Sequence, residues 1–209
     1  MTKIVPAVLV QDKADYQKQV SVIRQLTNRF QLDVIDGQYV DNKTIGLDEI
    51  VRTNDLLMDV HLMVVDPTKY VERAIILHAN NIIIQFEACP EPTKHLERIK
   101  KSGLNAGLAV NPDTKLSKLK PHADMLDHLL IMGYPAGFAG QKLDARVFER
   151  LEEARKLFVG ADIGLDGGVN STNAKKILQA GFDVVNINTL IFGSDDPLNA
   201  YSNLLGYLI

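Results

Sequence analysis

The sequence holds a single cysteine, Cys89, and no tryptophan, and aromatic residues make up only 6% of its 209 positions. One thiol excludes an internal disulfide framework and fits a reducing compartment. No stretch approaches the roughly 18 consecutive apolar residues of a membrane span. Basic charge is scarce as well: 23 Lys and Arg face 26 Asp and Glu, for a net charge of -3. That balance, with a pI near 5.9, excludes a broad nucleic-acid surface and leaves room for a local anion site. The opening residues MTKIVPAVLVQD lack the apolar length and cleavage site of a secretory signal, so the cytoplasm is the expected location. No Pro/Ser-rich linker, composition break or low-complexity segment divides the chain, and one domain over 1–209 is expected.

What is present is an alternation. Short β-branched runs read as buried strands at 3–10, 30–36, 57–64, 82–88, 105–110, 126–133, 161–166 and 182–188. Between them, apolar-periodic charged stretches read as helices at 14–28, 67–79, 91–102, 144–158, 172–180 and 196–208, with short ones at 47–54 and 114–120. Pro67 and Pro197 suit first helical turns, and Gly103 and Gly181 suit helix ends. The strand runs are apolar throughout, which fits a parallel sheet covered on both faces. Eight units of about 26 residues predict an α/β fold, a single (β/α)8 TIM barrel. A doubly wound open sheet uses the same alternation and is the runner-up.

In such a barrel, chemistry collects at the C-terminal ends of the strands. Polar residues interrupt the apolar runs there: Asp33 and Asp36, Asp59 and His61, Gln85 and Glu87, Asn111, Asp166, then Asn186, Asn188 and Thr189. A charge inside an apolar strand is costly unless paired or metal-bound. Asp33 and Asp166 facing each other across the mouth would suit proton removal from one face of a carbon and return to the other. The competing reading is that each carboxylate only binds loop backbone. His61 is read either as a core imidazole or as a metal ligand beside those carboxylates. The other histidines, His78, His95, His122 and His128, are read as structural or solvated. Glycine-rich GFAGQ (137–141) and GGV (167–169) offer bare N–H groups to a phosphate, although tight turns alone also call for glycine.

In order along the chain, LDVIDG (32–37) with NKTIG (42–46), MDVHLM (58–63), FEAC (86–89), GLAVNPDT (107–114), IMGYPAGFAGQ (131–141), LDGGVN (165–170) and LIFG (190–193) resemble the ribulose-phosphate 3-epimerase family. The resemblance covers nearly the whole chain. It implies a barrel of the phosphate-binding type and a homo-oligomeric enzyme that inverts C3 of a ketose phosphate such as D-ribulose 5-phosphate. It assigns C3 proton exchange to Asp33 and Asp166. A divalent metal, commonly zinc but also manganese or iron, would sit with Asp33, His61, Asp166 and the residue at position 31. Substrate contacts would come from Ala7, His61, Met132, Gly137, Gly140, Gly167, Gly168, Asn188 and Thr189.

The departures fall on that machinery. Gln31 stands where the family has a metal-binding histidine, and a neutral amide is the poorer zinc ligand, so the metal site is expected to be weakened. Gln38 and Gln85 replace further histidines. Ala7 replaces a substrate-contacting serine, and Asn188 and Thr189 replace a glycine and serine of the phosphate site. Asn188 either crowds a phosphate or donates to it. Three functions follow as expectations: an epimerase; a catalytically impaired relative that binds a phosphorylated ligand or a protein partner; or another reaction of the same barrel type, such as decarboxylation or aldose–ketose isomerisation.

Overall fold

The eight apolar runs form eight parallel strands that close on themselves in sequence order in a computed structural model, which describes residues 1–51 and 54–208. They are β1 (Lys3–Val8), β2 (Arg29–Ile35), β3 (Leu57–Met63), β4 (Asn81–Gln85), β5 (Asn105–Val110), β6 (His128–Met132), β7 (Asp162–Asp166) and β8 (Val184–Ile187). The closing pair, β1 with β8, is parallel like the rest. The result is the expected (β/α)8 barrel, and the open sheet is excluded. Among the described residues, no helix is long and apolar enough to cross a membrane.

Around the barrel lie α1 (Lys13–Leu26), α2 (Thr68–Ile76), α3 (Pro92–Lys101), α4 (Val147–Leu157), α5 (Ala174–Leu178), α6 (Thr189–Phe192) and α7 (Pro197–Leu205). Their starts follow local chemistry. Asp12 caps α1 by accepting from the Ala14 and Asp15 N–H groups at 2.8 and 2.9 Å. Pro92 and Pro197 occupy first turns, where the missing N–H has no helical partner to lose. Several elements are shorter than periodicity suggests. The 172–180 helix contracts to α5 because Asn170 and Asn173 hold residues 170–173 in side-chain turns. The 114–120 helix is instead a 3-10 segment over Leu116–Met125 that contains Pro121. Of the 47–54 helix only a 3-10 turn at Leu47–Glu49 is seen, and Arg52 and Thr53 lie outside the described residues. The four-residue α6 has no periodic signature in the sequence.

The strands carry a two-residue alternation that the apolar reading passed over. Leu32, Val34, Val60, Leu62, Ile82, Ile84, Leu129 and Ile131 belong to the large outer core beneath the helices. The alternate positions line the barrel, and there sit Gln31, Asp33, Asp59, His61, Asn81, Gln85, His128, Asp166 and Asn186, all buried. At the floor, Arg29 pairs with Asp59 at 2.8 Å, and Asn80 and Asn81 donate to the other Asp59 oxygen at 2.8 and 2.9 Å. Both charges of this pair are thus matched inside the fold.

His128 lies in the same floor, in register with Gly107 on one side and next to Gly164 on the other. A methyl group on Gly164 would lie 2.7 Å from its Nε2, so glycine makes the room the ring occupies. Neither ring nitrogen has a hydrogen-bond partner among the described residues. Burial, reinforced by Arg29, His61 and Lys3 and opposed by Asp183, holds its pKa down at about 3, against an ordinary value of 6.5. The unfolded chain therefore takes up a proton that the folded one refuses. Stability is full above about pH 6.5 and declines as pH falls toward 3, by up to about 1.4 kcal/mol per pH unit from this group. Urea unfolding across that window is expected to show the decline, and His128→Leu is expected to flatten it. Equal slopes for both proteins would show that His128 is not its source.

Candidate active site

Parallel register brings the interrupting polar residues together. Asp33 is the direct neighbour of His61 across β2 and β3, and Gln31 the neighbour of Ala7 across β1 and β2. Asp166 lies beside Met132 on one side and Asn186 on the other. One ligand atom each from Asp33, His61 and Asp166 falls within 4.8 Å of the others, at three buried positions. The carboxylates that the sequence places 133 residues apart thus share one small space at the top of the barrel.

Gln31 lies between them. Its Nε2 donates to Asp33 Oδ1 at 2.9 Å and to Asp166 Oδ2 at 2.7 Å, and its Oε1 accepts from Asn186 Nδ2 at 2.6 Å. Burial, followed by the charge of Asp166, pushes the Asp33 carboxyl up to about 6, while His61 and Gln31 pull the other way. For His61, burial lowers the pKa, but Asp166 and Asp33 outweigh it and raise the ring to about 10. Its Nδ1 stands 3.3 Å from Asp33 Oδ1 and 3.6 Å from Asp166 Oδ2. That is close enough for charge attraction, and Nδ1 is a buried polar atom without a hydrogen-bond partner.

The far side of the ring is fixed. His61 Nε2 meets Gln85 Oε1 at 3.0 Å, and Gln85 Nε2 donates to Glu87 Oε2. Gln85 therefore presents an acceptor to His61, and Nε2 must carry the proton. A neutral ring would aim a lone pair at the two carboxylates, whereas the protonated ring that its raised pKa favours places a positive charge between them. Two carboxylates, one imidazole nitrogen and an amide within reach form a donor set that fits a divalent cation.

Above this cluster opens a cleft of about 170 Å³ whose lining includes Ala7, Asp33, Met132, Tyr134, Asp166 and Asn188. The expected contacts Gly137, Gly140, Gly167, Gly168 and Thr189 line it too. His61 is fully buried beneath the floor and does not line it. Gly167 and Gly168 adopt φ of 92° and 81°, a left-handed conformation that favours glycine. No Lys or Arg is among the lining residues. Asn188, whose role the sequence left open, donates its Nδ2 to the Ala7 carbonyl at 2.7 Å. One end of its amide is thus tied to β1 while the residue lines the cleft.

Sequence reasoning missed three contributors. Tyr134 packs its ring against Gly167, and burial with the charges of Asp166 and Asp33 holds its hydroxyl well above the usual range. Asn186 was noted only as a polar strand end. Asn111 joins the rim loops: its N–H donates to Glu87 at 2.9 Å, its amide donates to the Tyr39 hydroxyl at 2.8 Å, and its oxygen accepts from the Ala136 N–H at 3.0 Å. Only the lone polar residue after β5 hinted at this in the sequence.

Comparison with known proteins agrees with this geometry. A family model described as the ribulose-phosphate 3 epimerase family matches residues 3–192. A ribulose-phosphate 3-epimerase from Bacillus subtilis (strain 168) is 31% identical, with 99% of each chain covered. The Aquifex aeolicus (strain VF5) protein of the same name is 33% identical over 94% of this chain and 92% of its own. Among solved structures, 3-hexulose-6-phosphate synthase from Salmonella typhimurium superposes with a TM-score of 0.74 at 14% identity, covering 99% of this chain and 98% of its own. Orotidine 5'-phosphate decarboxylase from Pyrococcus horikoshii OT3 gives 0.69 at 15%, with 99% of each covered. These two likenesses concern the fold alone.

One backbone contact fixes the cleft edge. Gly133 donates its N–H to the Asp166 carbonyl at 2.6 Å, and a methyl group on it would lie 2.2 Å from the Gly167 carbonyl oxygen. Gly133→Ala is expected to lower stability by roughly 1–3 kcal/mol, as overpacking does. The readout is the urea unfolding midpoint, and an unchanged midpoint would show that the β6 and β7 ends are not in this contact.

Proposed function

The chain belongs to the ribulose-phosphate 3-epimerase family, and we propose that it inverts C3 of a ketose phosphate such as D-ribulose 5-phosphate by proton transfer between Asp33 and Asp166. The observation that carries this reading is the buried carboxylate pair bridged by one Gln31 amide group. Two carboxyl groups in one low-dielectric space resist ionising together, so one holds a proton while the other is a base. Burial first, and the Asp166 charge second, raise the Asp33 pKa, which is the direction such sharing calls for.

A sugar whose C3 lies over the pair presents one face to each carboxyl. The ionised group removes the C3 proton, and the electron pair left on C3 conjugates with the C2 carbonyl to give an enediolate. The protonated group then delivers its proton to the opposite face of C3, which inverts the centre. Met132 and Ala7 wall the cleft with apolar surface, keeping bulk water from the enediolate. The phosphate would rest on the Gly167 and Gly168 N–H groups and the Thr189 hydroxyl, held by neutral donors. Gln31 steadies the carboxylates through its N–H groups. A divalent metal, when bound, would be held by Asp33, His61, Asp166 and the Gln31 amide oxygen, and would supply positive charge opposite the enediolate.

Incubation with D-ribulose 5-phosphate in deuterated water is expected to place deuterium at C3 of substrate and epimer. Asp33→Asn and Asp166→Asn should each reduce that exchange by about 10²–10⁴-fold, the usual contribution of a positioned acid or base. Binding of ketose phosphates without any C3 exchange by the wild-type protein would overturn the epimerase reading in favour of an impaired, ligand-binding relative.

A further inference from the structure

Two buried polar atoms in the cluster lack hydrogen-bond partners, and a single motion changes the surroundings of both. One is Asn186 Oδ1; the other is His61 Nδ1, which faces the aspartates while Nε2 meets Gln85 Oε1. Asn186 is 2% exposed at the cleft wall, and Gln31 and His61 are 0% exposed beneath it. Between the two orphans runs the short bond from Asn186 Nδ2 to Gln31 Oε1.

The two ends of a primary amide have nearly the same shape but opposite hydrogen-bonding character. If both amides turn by half a revolution, Gln31 Nε2 donates to Asn186 Oδ1, and Nδ2 becomes the free end of the Asn186 amide. Gln31 Oε1 then joins Asp33, Asp166 and His61 Nδ1 around one point. Three oxygens and a nitrogen lone pair facing one another repel without a cation and form a four-donor site with one. In the orientation observed, the Gln31 N–H groups perform the cation's task of holding the carboxylates together.

We propose that Gln31 and Asn186 form a coupled amide pair that reverses when a divalent cation enters. Gln31 is the fourth ligand through Oε1, and Asn186 is the positioning residue that receives the displaced N–H. The substitution at position 31 converts a permanent ligand into a facultative one. An imidazole at that position has no equivalent reversal, because its two nitrogens lie at different places on the ring. The proposal concerns cation binding and does not depend on turnover, so the loss of C3 exchange would leave it standing.

The test uses the wild-type, ¹⁵N-labelled protein stripped with a chelator and titrated with zinc, which is diamagnetic. Side-chain amide signals of Gln31 and Asn186 are assigned by their loss in Gln31→Met and Asn186→Leu. Both pairs of signals are expected to move in the same step, at one zinc per chain. Calorimetry should show binding weakened by at least about tenfold in Gln31→Met, the lower end of the effect of disturbing a metal site. Gln31→Glu, which keeps the ligand oxygen and removes the N–H groups, should bind zinc more tightly than wild type. Absence of zinc binding, zinc binding that leaves the Asn186 amide unmoved, or equal affinity in wild type and Gln31→Met would each overturn the proposal.

Discussion

The mouth of this barrel is organised by the repulsion between Asp33 and Asp166. Parallel strands all end at the same face, so a closed barrel brings the tips of β2 and β7 to one small space whatever their separation in sequence. Each carboxylate there has lost water, and each raises the energy of the other's charge. The Gln31 amide answers with two donated hydrogen bonds, and His61 with an electropositive ring edge once it carries a proton or faces a cation. The neighbouring arrangement follows from this need. Asn186 holds the Gln31 oxygen, and Gln85 with Glu87 sets the direction in which His61 points its proton.

The barrel separates stability from chemistry by the two-residue period of its strands. Outward positions build the apolar core under the helices, and inward positions hold polar groups in layers. The floor layer is internally neutral, with Arg29 against Asp59. The mouth layer sets two carboxylates against the single His61 ring. That excess of acidic groups is what distinguishes the mouth from the floor. A small apolar cluster of Ile35, Met63, Ile83, Ala109, Leu130 and Met132 lies among these polar groups and limits the access of water to them.

Much of this was legible in the sequence. The eight strands were readable because a parallel sheet covered on both faces needs β-branched runs, and none was missed. Asp33, His61 and Asp166 were readable because a charged residue inside such a run has to be explained. Helix ends were less legible where side-chain turns or a proline compete with the helix, as at 170–173 and Pro121. The inward alternation was hidden because Gly107, Ala109 and Gly164 also occupy lining positions and read as apolar. The function of Gln31 was legible only as the loss of a histidine. That its N–H end faces the aspartates depends on Asn186, 155 residues away, and no local pattern carries the polarity of an amide.

Gln31 and Gln85 are linked by the same logic. An imidazole beside His61 could meet its Nε2 as donor or acceptor, according to its tautomer. Gln85 loses that freedom once Glu87 takes its N–H, because only the amide oxygen is left for His61. Glu87 in turn is anchored at the rim by the Asn111 N–H. A carboxylate at the surface thereby dictates, through one amide and one ring, that a lone pair reaches the buried aspartates when His61 is neutral. Restoring an imidazole at position 31 alone would add a ligand but leave Asn186 facing a partner of different shape. The glutamine and the asparagine are therefore best understood as one unit, fitted to a His61 whose tautomer has already been chosen.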